Sequence, residues 1–189
     1  HGPASEHQSN AFAADNKMDA SLSADVCGQC HGQPAQWKTS GHSDAAAQAF
    51  TYPVGPSRAA CVRCHSGVGF IDFANGVPQA QQRTSAQVHS CGVCHDSHNA
   101  DNPKQLRVYN AVTLPGDASP RTGMGESATC MACHNGRVTP DSATAASPSF
   151  PHYSTASETL LGLNGITWGH HISNSIHTLV ANCVECHMA

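Results

Sequence analysis

The chain has 189 residues, and its 9 Lys and Arg against 13 Asp and Glu give a formal net charge of −4, which excludes the basic surface typical of nucleic-acid binding. Charged residues make up only 12% of the chain and aromatic residues 5%, so few large apolar side chains are available for a core built from protein alone. No stretch approaches the roughly 18 consecutive apolar residues of a membrane-spanning helix, so we expect no membrane span.

In chain order, the sequence predicts an arm, short helices and very little sheet. Residues 1–26 lack hydrophobic periodicity and form the predicted arm, a candidate contact between subunits, while residues 27–189 form the predicted single domain. The chain opens on His1 without a signal-peptide pattern, so we expect that an export signal has been removed. The predicted helices cover residues 44–50, 79–88, 157–163 and 175–183, and one predicted strand covers residues 105–109 with a continuation to 114.

All ten cysteines lie in five CxxC pairs, and a histidine directly follows every pair. C-x-x-C-H is the attachment motif of c-type haem, in which two thiols on one turn of chain add across the vinyl groups of one porphyrin and the next histidine binds the iron. The pattern therefore predicts five covalently bound haem c groups. The predicted attachment residues are Cys27, Cys30, Cys61, Cys64, Cys91, Cys94, Cys130, Cys133, Cys183 and Cys186. The predicted proximal ligands are His31, His65, His95, His134 and His187.

Two other uses of CxxC pairs fit this sequence less well. Zinc sites gather four ligands, normally from two such pairs, and five pairs cannot be divided in that way. A disulfide framework agrees with the even number of cysteines. Neither use requires a histidine after each pair, so both leave the most regular feature of the sequence unexplained.

Five irons need as many as five ligands on their second face, and nine histidines lie outside the motifs. Methionine is the other common axial ligand, but Met131 lies within a CxxC and Met188 directly follows a proximal histidine. Bis-histidine ligation is therefore predicted at all five irons. The predicted distal ligands are His42, His98, His152 and His177, with His89 as the fifth candidate and His170, His171, His7 and His1 as its alternates.

Two of these assignments carry further expectations. His98 follows the proximal ligand His95 by three residues, so it cannot bend back over its own haem and is predicted to ligate a neighbouring one. His1 and His7 lie on the arm, for which two interpretations stay open: a frayed terminus, or a segment that docks on a neighbouring subunit and donates a ligand there.

Covalent haems change what the fold requires, because each flat apolar ring can bury chain on both of its faces. The predicted fold class is a multihaem cytochrome c, mostly irregular coil with short α-helices and minimal β structure, packed around a stack of five covalent haems. The propionates would make the holoprotein more acidic than the chain. Their candidate partners, each of which could equally be a solvated side chain, are Arg63, Arg107, Arg121 and Arg137.

Several runs around the motifs resemble multihaem cytochromes of the outer-membrane cytochrome E type. They are residues 27–31 with Trp37 and residues 40–42, residues 61–65 with 69–70, and residues 94–98, 105–107, 133–137, 151–154 and 174–188. The resemblance covers residues 27–189 and implies extracellular filaments, or cytochrome nanowires, with stacked bis-histidine haems and a histidine that a subunit can donate to its neighbour. Filament formers of that family carry even numbers of haems, whereas this chain has five motifs.

The leading functional hypothesis is electron transfer through five closely spaced haems in the repeating subunit of a conductive filament. Its predicted partners are further copies of itself and either redox proteins or extracellular acceptors, and its predicted location is extracellular or at the cell surface after export. The alternative is a monomeric periplasmic electron shuttle to a terminal reductase. A third hypothesis is a reductase of a small nitrogen oxyanion, but such an enzyme needs an iron with an open position, and none of the five motifs departs from CxxCH. We therefore expect an electron carrier rather than an enzyme.

Overall fold

The computed structural model describes residues 21–138, 155–163, 168–171, 175–180 and 182–188. Within these ranges the chain is mostly coil and turn, with short helices and very little sheet, as the sequence predicts. The α-helices are Ala24–Gly28, Pro34–Trp37, Gln48–Thr51, Val62–His65, Gly67–Ala74, Cys91–Cys94, Ser127–Met131, Ala156–Leu161, His177–Val180 and Cys183–His187. Single 3₁₀ turns cover Gly41–Ser43, Pro56–Arg58 and Gln79–Gln81, and the strands Ala111–Val112 and Arg121–Thr122 pair antiparallel.

The chain divides into two compact units. The N-terminal unit ends at Asn99 and the C-terminal unit begins at Ala100. The N-terminal unit contains the first three CxxCH motifs and the C-terminal unit the last two. The single haem-filled domain expected over residues 27–189 stays a prediction, and each unit is described below by itself.

The core of the N-terminal unit is organised by the Gly67–Ala74 helix. Ser66 caps this helix, since its hydroxyl oxygen accepts a hydrogen bond from the Gly69 N–H at 3.3 Å. Phe70 is only 1% exposed, and the helix approaches Val62 so closely that a Cβ on Gly69 would lie 2.5 Å from the Val62 carbonyl oxygen. Glycine is therefore required at position 69 for the helix to pack against the second motif.

In the described part of the C-terminal unit the core consists of aliphatic and methionine side chains, and the amides of Asn102 and Asn135 are also buried. The buried apolar residues are Leu106, Val112, Leu114, Ala128, Met131, Ala132 and Leu161. Asn135 is completely buried, and its side-chain nitrogen donates to the carbonyl oxygens of Met131 and Ala132 at 2.9 and 3.1 Å. These two bonds satisfy carbonyls at the end of the Ser127–Met131 helix, where the helix itself offers no donors.

No strand forms over residues 105–109, so that part of the prediction is wrong, but the strand Ala111–Val112 lies within the predicted continuation to residue 114. Gln105 and Asn110 both have positive φ angles, 54° and 63°, which break an extended run at each end. Between them the side chain of Asn102 accepts from the Leu106 N–H at 2.9 Å and donates to the Leu106 carbonyl at 3.0 Å. The Asn102 side chain thus bonds to both backbone hydrogen-bonding groups of Leu106, which forms an isolated β-bridge and not a longer strand.

The helix predicted over residues 79–88 is also wrong, because only the 3₁₀ turn Gln79–Gln81 forms. Gln82 is already extended, and the next residue is held by the buried carboxylate of Asp72. The Arg83 backbone N–H donates to Asp72 at 2.7 Å, and the Arg83 guanidinium donates to the same carboxylate at 2.7 to 3.1 Å. This tertiary clamp overrides the local helical pattern.

The remaining helix predictions are correct in place but not in length. The helix expected over residues 44–50 forms as Gln48–Thr51, and the one expected over 157–163 forms as Ala156–Leu161, which ends at Gly162 in the left-handed conformation. The single helix expected over 175–183 is two short helices, His177–Val180 and Cys183–His187. The second begins independently because Asn182 and Glu185 form a reciprocal capping box.

Candidate haem-attachment sites

Every CxxCH motif folds as one turn of helix. In the first four motifs the histidine N–H donates to the carbonyl of the first cysteine, at 3.0 Å for His31, 3.1 Å for His65, 2.9 Å for His95 and 2.8 Å for His134. The fifth motif lies entirely within the Cys183–His187 helix. Side chains three positions apart share one face of a helical turn, so each turn presents two thiols on one side. This is the local structure that attachment of one porphyrin through two thioethers requires.

The second motif also shows how a proximal histidine is oriented. The Nδ1 atom of His65 lies 2.9 Å from the carbonyl oxygen of Ala49, in the Gln48–Thr51 helix. A carbonyl can only accept, so Nδ1 carries the proton and Nε2 keeps the lone pair that binds a metal. A ligating histidine normally donates its other ring N–H to a carbonyl or carboxylate in this way. The residues therefore fit haem iron at this motif.

In the N-terminal unit, the first and third motifs lie side by side. The Ser90 hydroxyl, directly before Cys91, donates to the carbonyl of Leu22, and a Cβ on Gly92 would lie 3.2 Å from the Leu22 side chain. The Cys91 thiol is hydrogen-bonded to the Cys27 thiol, and burial, followed by this neighbour, raises the pKa of Cys91. The first cysteines of two motifs therefore meet.

In the C-terminal unit, the fourth and fifth motifs make the corresponding contact. The Cys183 N–H donates to the hydroxyl oxygen of Ser127 at 3.1 Å, and the Cys183 and Cys130 thiols are hydrogen-bonded. The Cys130 thiol, then the Ser127 hydroxyl, the backbone of its own helix and the nearby His187 lower the pKa of Cys183 to about 5, against the opposing effect of burial. The first cysteines of this second pair of motifs also meet.

The end of the fourth motif is fixed by the Ala156–Leu161 helix. The carbonyl of His134 accepts from the Ser157 N–H at 3.0 Å and from the Ser157 hydroxyl at 2.6 Å. Glu158, which is 2% exposed, accepts from the Gly136 N–H at 2.8 Å. Both sides of His134 are therefore anchored through backbone groups, while its side chain lies at the surface.

The structure brings two of the predicted distal ligands together. His89 is 8% exposed, and its ring centroid lies 5.7 Å from that of His42, 5.3 Å from Phe50 and 6.1 Å from Phe70. The indole N–H of Trp37 donates to the His89 carbonyl at 2.8 Å and so joins the helix that precedes His42 to the segment that precedes the third motif. His89 is the predicted distal candidate with the most fixed surroundings among the described residues.

The other predicted distal ligands that the structure describes are exposed. His98 is 75% exposed and lies next to Asp96, with its Nδ1 atom 3.7 Å from the carboxylate. His177 begins its short helix and is exposed, as are His170 and His171. His152, His1 and His7 lie outside the described residues. Distal ligation by all of these residues stays a prediction.

Sequence reasoning missed the residues that connect the motifs to one another. Ser90 and Ser127 are ordinary serines in the sequence, and their only signal is a position one to three residues before a motif cysteine. Among the candidate propionate partners, Arg121 pairs with Asp117 at 2.6 Å, and the Arg63 guanidinium lies 5.0 Å above the ring of Phe73. Both of these arginines have partners within their own unit.

Comparison with known proteins gives one match. Residues 48–135 match the sequence model of the family described as cytochrome c7 and related cytochrome c. The matched range includes the second, third and fourth CxxCH motifs. A search of curated proteins and a search of solved structures each found no match.

The match supports a multihaem c-type cytochrome, an electron carrier with covalently bound haem c and iron. It does not support the more specific likeness to outer-membrane cytochrome E nanowires. Cytochromes of the c7 type are extracellular or periplasmic. None of the helices in the described part of the chain is long and apolar enough to cross a membrane.

Proposed function

We propose that this protein transfers electrons through five haem c groups, one at each CxxCH motif, with a histidine on both faces of each iron. The observation that carries the proposal is that all five motifs adopt the same helical turn, with the histidine at its end. When bound, haem c supplies a one-electron redox centre. The chain holds it through two cysteines and orients the proximal imidazole, as the hydrogen bond from His65 to Ala49 illustrates.

Haem stoichiometry tests this proposal directly. The mature holoprotein, purified from a host that attaches c-type haem, should carry five haems by intact mass and by pyridine haemochrome absorbance. Its ferric EPR spectrum should show low-spin iron, because two imidazoles occupy the axial positions. Fewer than five haems, or a large high-spin signal, would contradict the proposal.

We further propose that the protein is a subunit of an extracellular filament. Nine histidines lie outside the motifs where five irons need at most five, so the chain has ligands available for a neighbouring subunit. The resemblance of the motif-flanking runs to filament-forming cytochromes supports the same assembly. Electron microscopy of the native extracellular fraction should show fibres, and globular particles alone would contradict this part of the proposal.

The arm offers a sharper test of assembly. A His1→Ala and His7→Ala double variant should lose fibres if the arm ligates a haem of the next subunit. The double variant Gln8→Ala and Asn10→Ala, which changes two arm residues that are not candidate ligands, serves as the matched control and should leave fibres intact. Normal fibres in the double variant would exclude ligation by the arm.

A periplasmic electron shuttle is the second candidate. The match to cytochrome c7, a family of electron carriers, agrees with a shuttle as well as with a filament subunit, and every haem-binding feature described above would serve a monomer equally well. A shuttle should sediment as a monomer at all concentrations and should exchange electrons with a periplasmic reductase.

A further inference from the structure

Four of the five CxxCH motifs meet in two pairs, and this pairing bears on the path that electrons take. In the N-terminal unit the contact between the first and third motifs involves the Ser90 hydroxyl on the Leu22 carbonyl, the approach of Gly92 to Leu22, and the thiols of Cys27 and Cys91. The residues concerned are more than 60 positions apart in sequence. Tertiary packing, and not the spacing of the motifs along the chain, produces this contact.

The C-terminal unit repeats the arrangement with different residues. The Cys183 N–H donates to Ser127, three residues before Cys130, and the thiols of Cys130 and Cys183 are in contact. In both units it is the first cysteine of each motif that faces its counterpart. In both units a serine shortly before one motif makes the hydrogen bond to the other side of the contact.

Each thioether joins a cysteine sulfur to a carbon just outside the porphyrin ring, so two neighbouring sulfurs fix two neighbouring ring edges. We infer that the haem of the first motif pairs with that of the third, and the haem of the fourth with that of the fifth, each pair meeting at the edges that carry the first thioethers. Ser90 and Ser127 are the positioning residues of the two pairs. The inference rests on the proposed function, because it requires haem at these four motifs.

Haems stacked in the order of their motifs along the chain would have different neighbours. A chain that stacked its haems in the order of its motifs would place the second haem next to the first. The second motif is instead tied to the segment before the third, since the Ser66 hydroxyl donates to the Ser85 carbonyl at 2.6 Å and the Gly67 N–H donates to the Gln87 carbonyl at 2.7 Å. The pairing therefore predicts an electron path that does not follow the numbering of the motifs.

Proton NMR of the fully reduced holoprotein tests the pairing, because low-spin ferrous haem is diamagnetic. Each haem is assigned through the β-protons of its own cysteines. The expected result is a nuclear Overhauser cross-peak between the thioether protons at Cys27 and those at Cys91, and a second between those at Cys130 and Cys183. A first-motif haem that shows cross-peaks only to the second haem, or to no other haem, would overturn the pairing.

Two serine variants test which haem pair each serine positions. Ser127→Ala removes the acceptor for the Cys183 N–H. It should weaken the cross-peak between the fourth and fifth haems and reduce their exciton-coupled Soret circular dichroism. The signals of the first and third haems should stay unchanged. Ser90→Ala should do the reverse, and Ser119→Ala, at an exposed serine, should change neither. Equal effects of Ser90→Ala and Ser127→Ala on both pairs would overturn their roles as positioning residues.

Failure of the haem pairing and failure of the proposed function give different results. Five haems by intact mass without the expected cross-peaks would overturn the pairing and leave the proposed function standing. Absence of haem from any of the four motifs would overturn both.

Discussion

The two units stabilise their motifs by different means. The N-terminal unit contains an aromatic cluster, in which Phe50 and Phe70 pack against the buried ring of His89, two residues before the third motif. In the C-terminal unit the fourth motif is held by hydrogen bonds that Asn135 and Ser157 donate to backbone carbonyls and by one that Glu158 accepts from a backbone N–H. The same helical turn is thus supported once by apolar burial and once by a buried polar network. The difference indicates that the motif specifies the turn, while its surroundings are free to vary.

The largest effect is expected on the spin state of iron when His89, a candidate ligand in the aromatic cluster, is substituted. If His89 is a distal ligand, His89→Ala leaves one iron with a single imidazole and should convert that iron from low spin to high spin. Gln79→Ala, at an exposed side chain that is not a candidate ligand, is the control and should retain a fully low-spin spectrum. Ferric EPR with spin quantitation measures the change, and a low-spin His89→Ala protein would remove His89 from the ligand set.

Removing the centre of the aromatic cluster should have the largest effect on stability. Phe70→Ala deletes a side chain that is 1% exposed and should lower the free energy of unfolding by about 3 to 5 kcal/mol. Tyr52→Ala removes an aromatic ring that is 62% exposed and should cost far less. Denaturant unfolding followed by far-UV circular dichroism compares the two, and equal losses would show that the cluster is not a core.

A substitution in the polar network of the C-terminal unit should lower the free energy of unfolding less than a substitution in the aromatic cluster. Asn135→Ala leaves the carbonyls of Met131 and Ala132 without their donor and should lower the free energy of unfolding by about 1 to 3 kcal/mol. Asn75→Ala, at an exposed asparagine, should be close to neutral. Thermal unfolding of both variants, monitored at the Soret band, gives the comparison. A neutral Asn135→Ala variant would mean that haem contacts alone hold the fourth motif.

The smallest effect concerns the clamp between Asp72 and Arg83, whose contribution to stability is present at neutral pH and is lost in acid. Hydrogen bonds from the Arg83 side chain hold the pKa of Asp72 below its ordinary value near 3.8. A carboxyl whose pKa is lowered on folding stabilises the protein above its unfolded pKa, and that contribution is lost as the pH falls through the folded pKa. Asp72→Asn should therefore lower stability at neutral pH and flatten the decline of stability below about pH 4.

The control for this clamp is an exposed ion pair in the same unit. Asp25 and Lys38 lie 3.1 Å apart with both side chains largely exposed, and such pairs contribute little. Asp25→Asn should leave the stability profile between pH 2 and pH 7 nearly unchanged, where the range is chosen to span the ordinary carboxyl pKa of about 3.9. If both variants behaved alike, the clamp would not differ from a surface pair.

The comparison also shows where sequence reasoning was sufficient. The CxxCH turns follow from local chain geometry, because the two thiols and the histidine lie within five consecutive residues. The little regular structure was predictable from the scarcity of apolar periodicity. In both failures, at residues 79–88 and 105–109, a side chain bonds to backbone groups of the predicted element: Asp72, eleven residues before Arg83, in the first case, and Asn102, four residues before Leu106, in the second.

The sequence by itself determined the chemistry of this protein: ten cysteines and five adjacent histidines in a spacing that only a covalently attached haem uses fully. Tertiary structure alone decided which motifs meet. Cys27 lies closer along the chain to Cys61 than to Cys91, yet its thiol contacts Cys91, because Ser90 and Gly92 pack against Leu22. Contacts between distant segments depend on how the whole chain packs, and no spacing rule along the sequence encodes them.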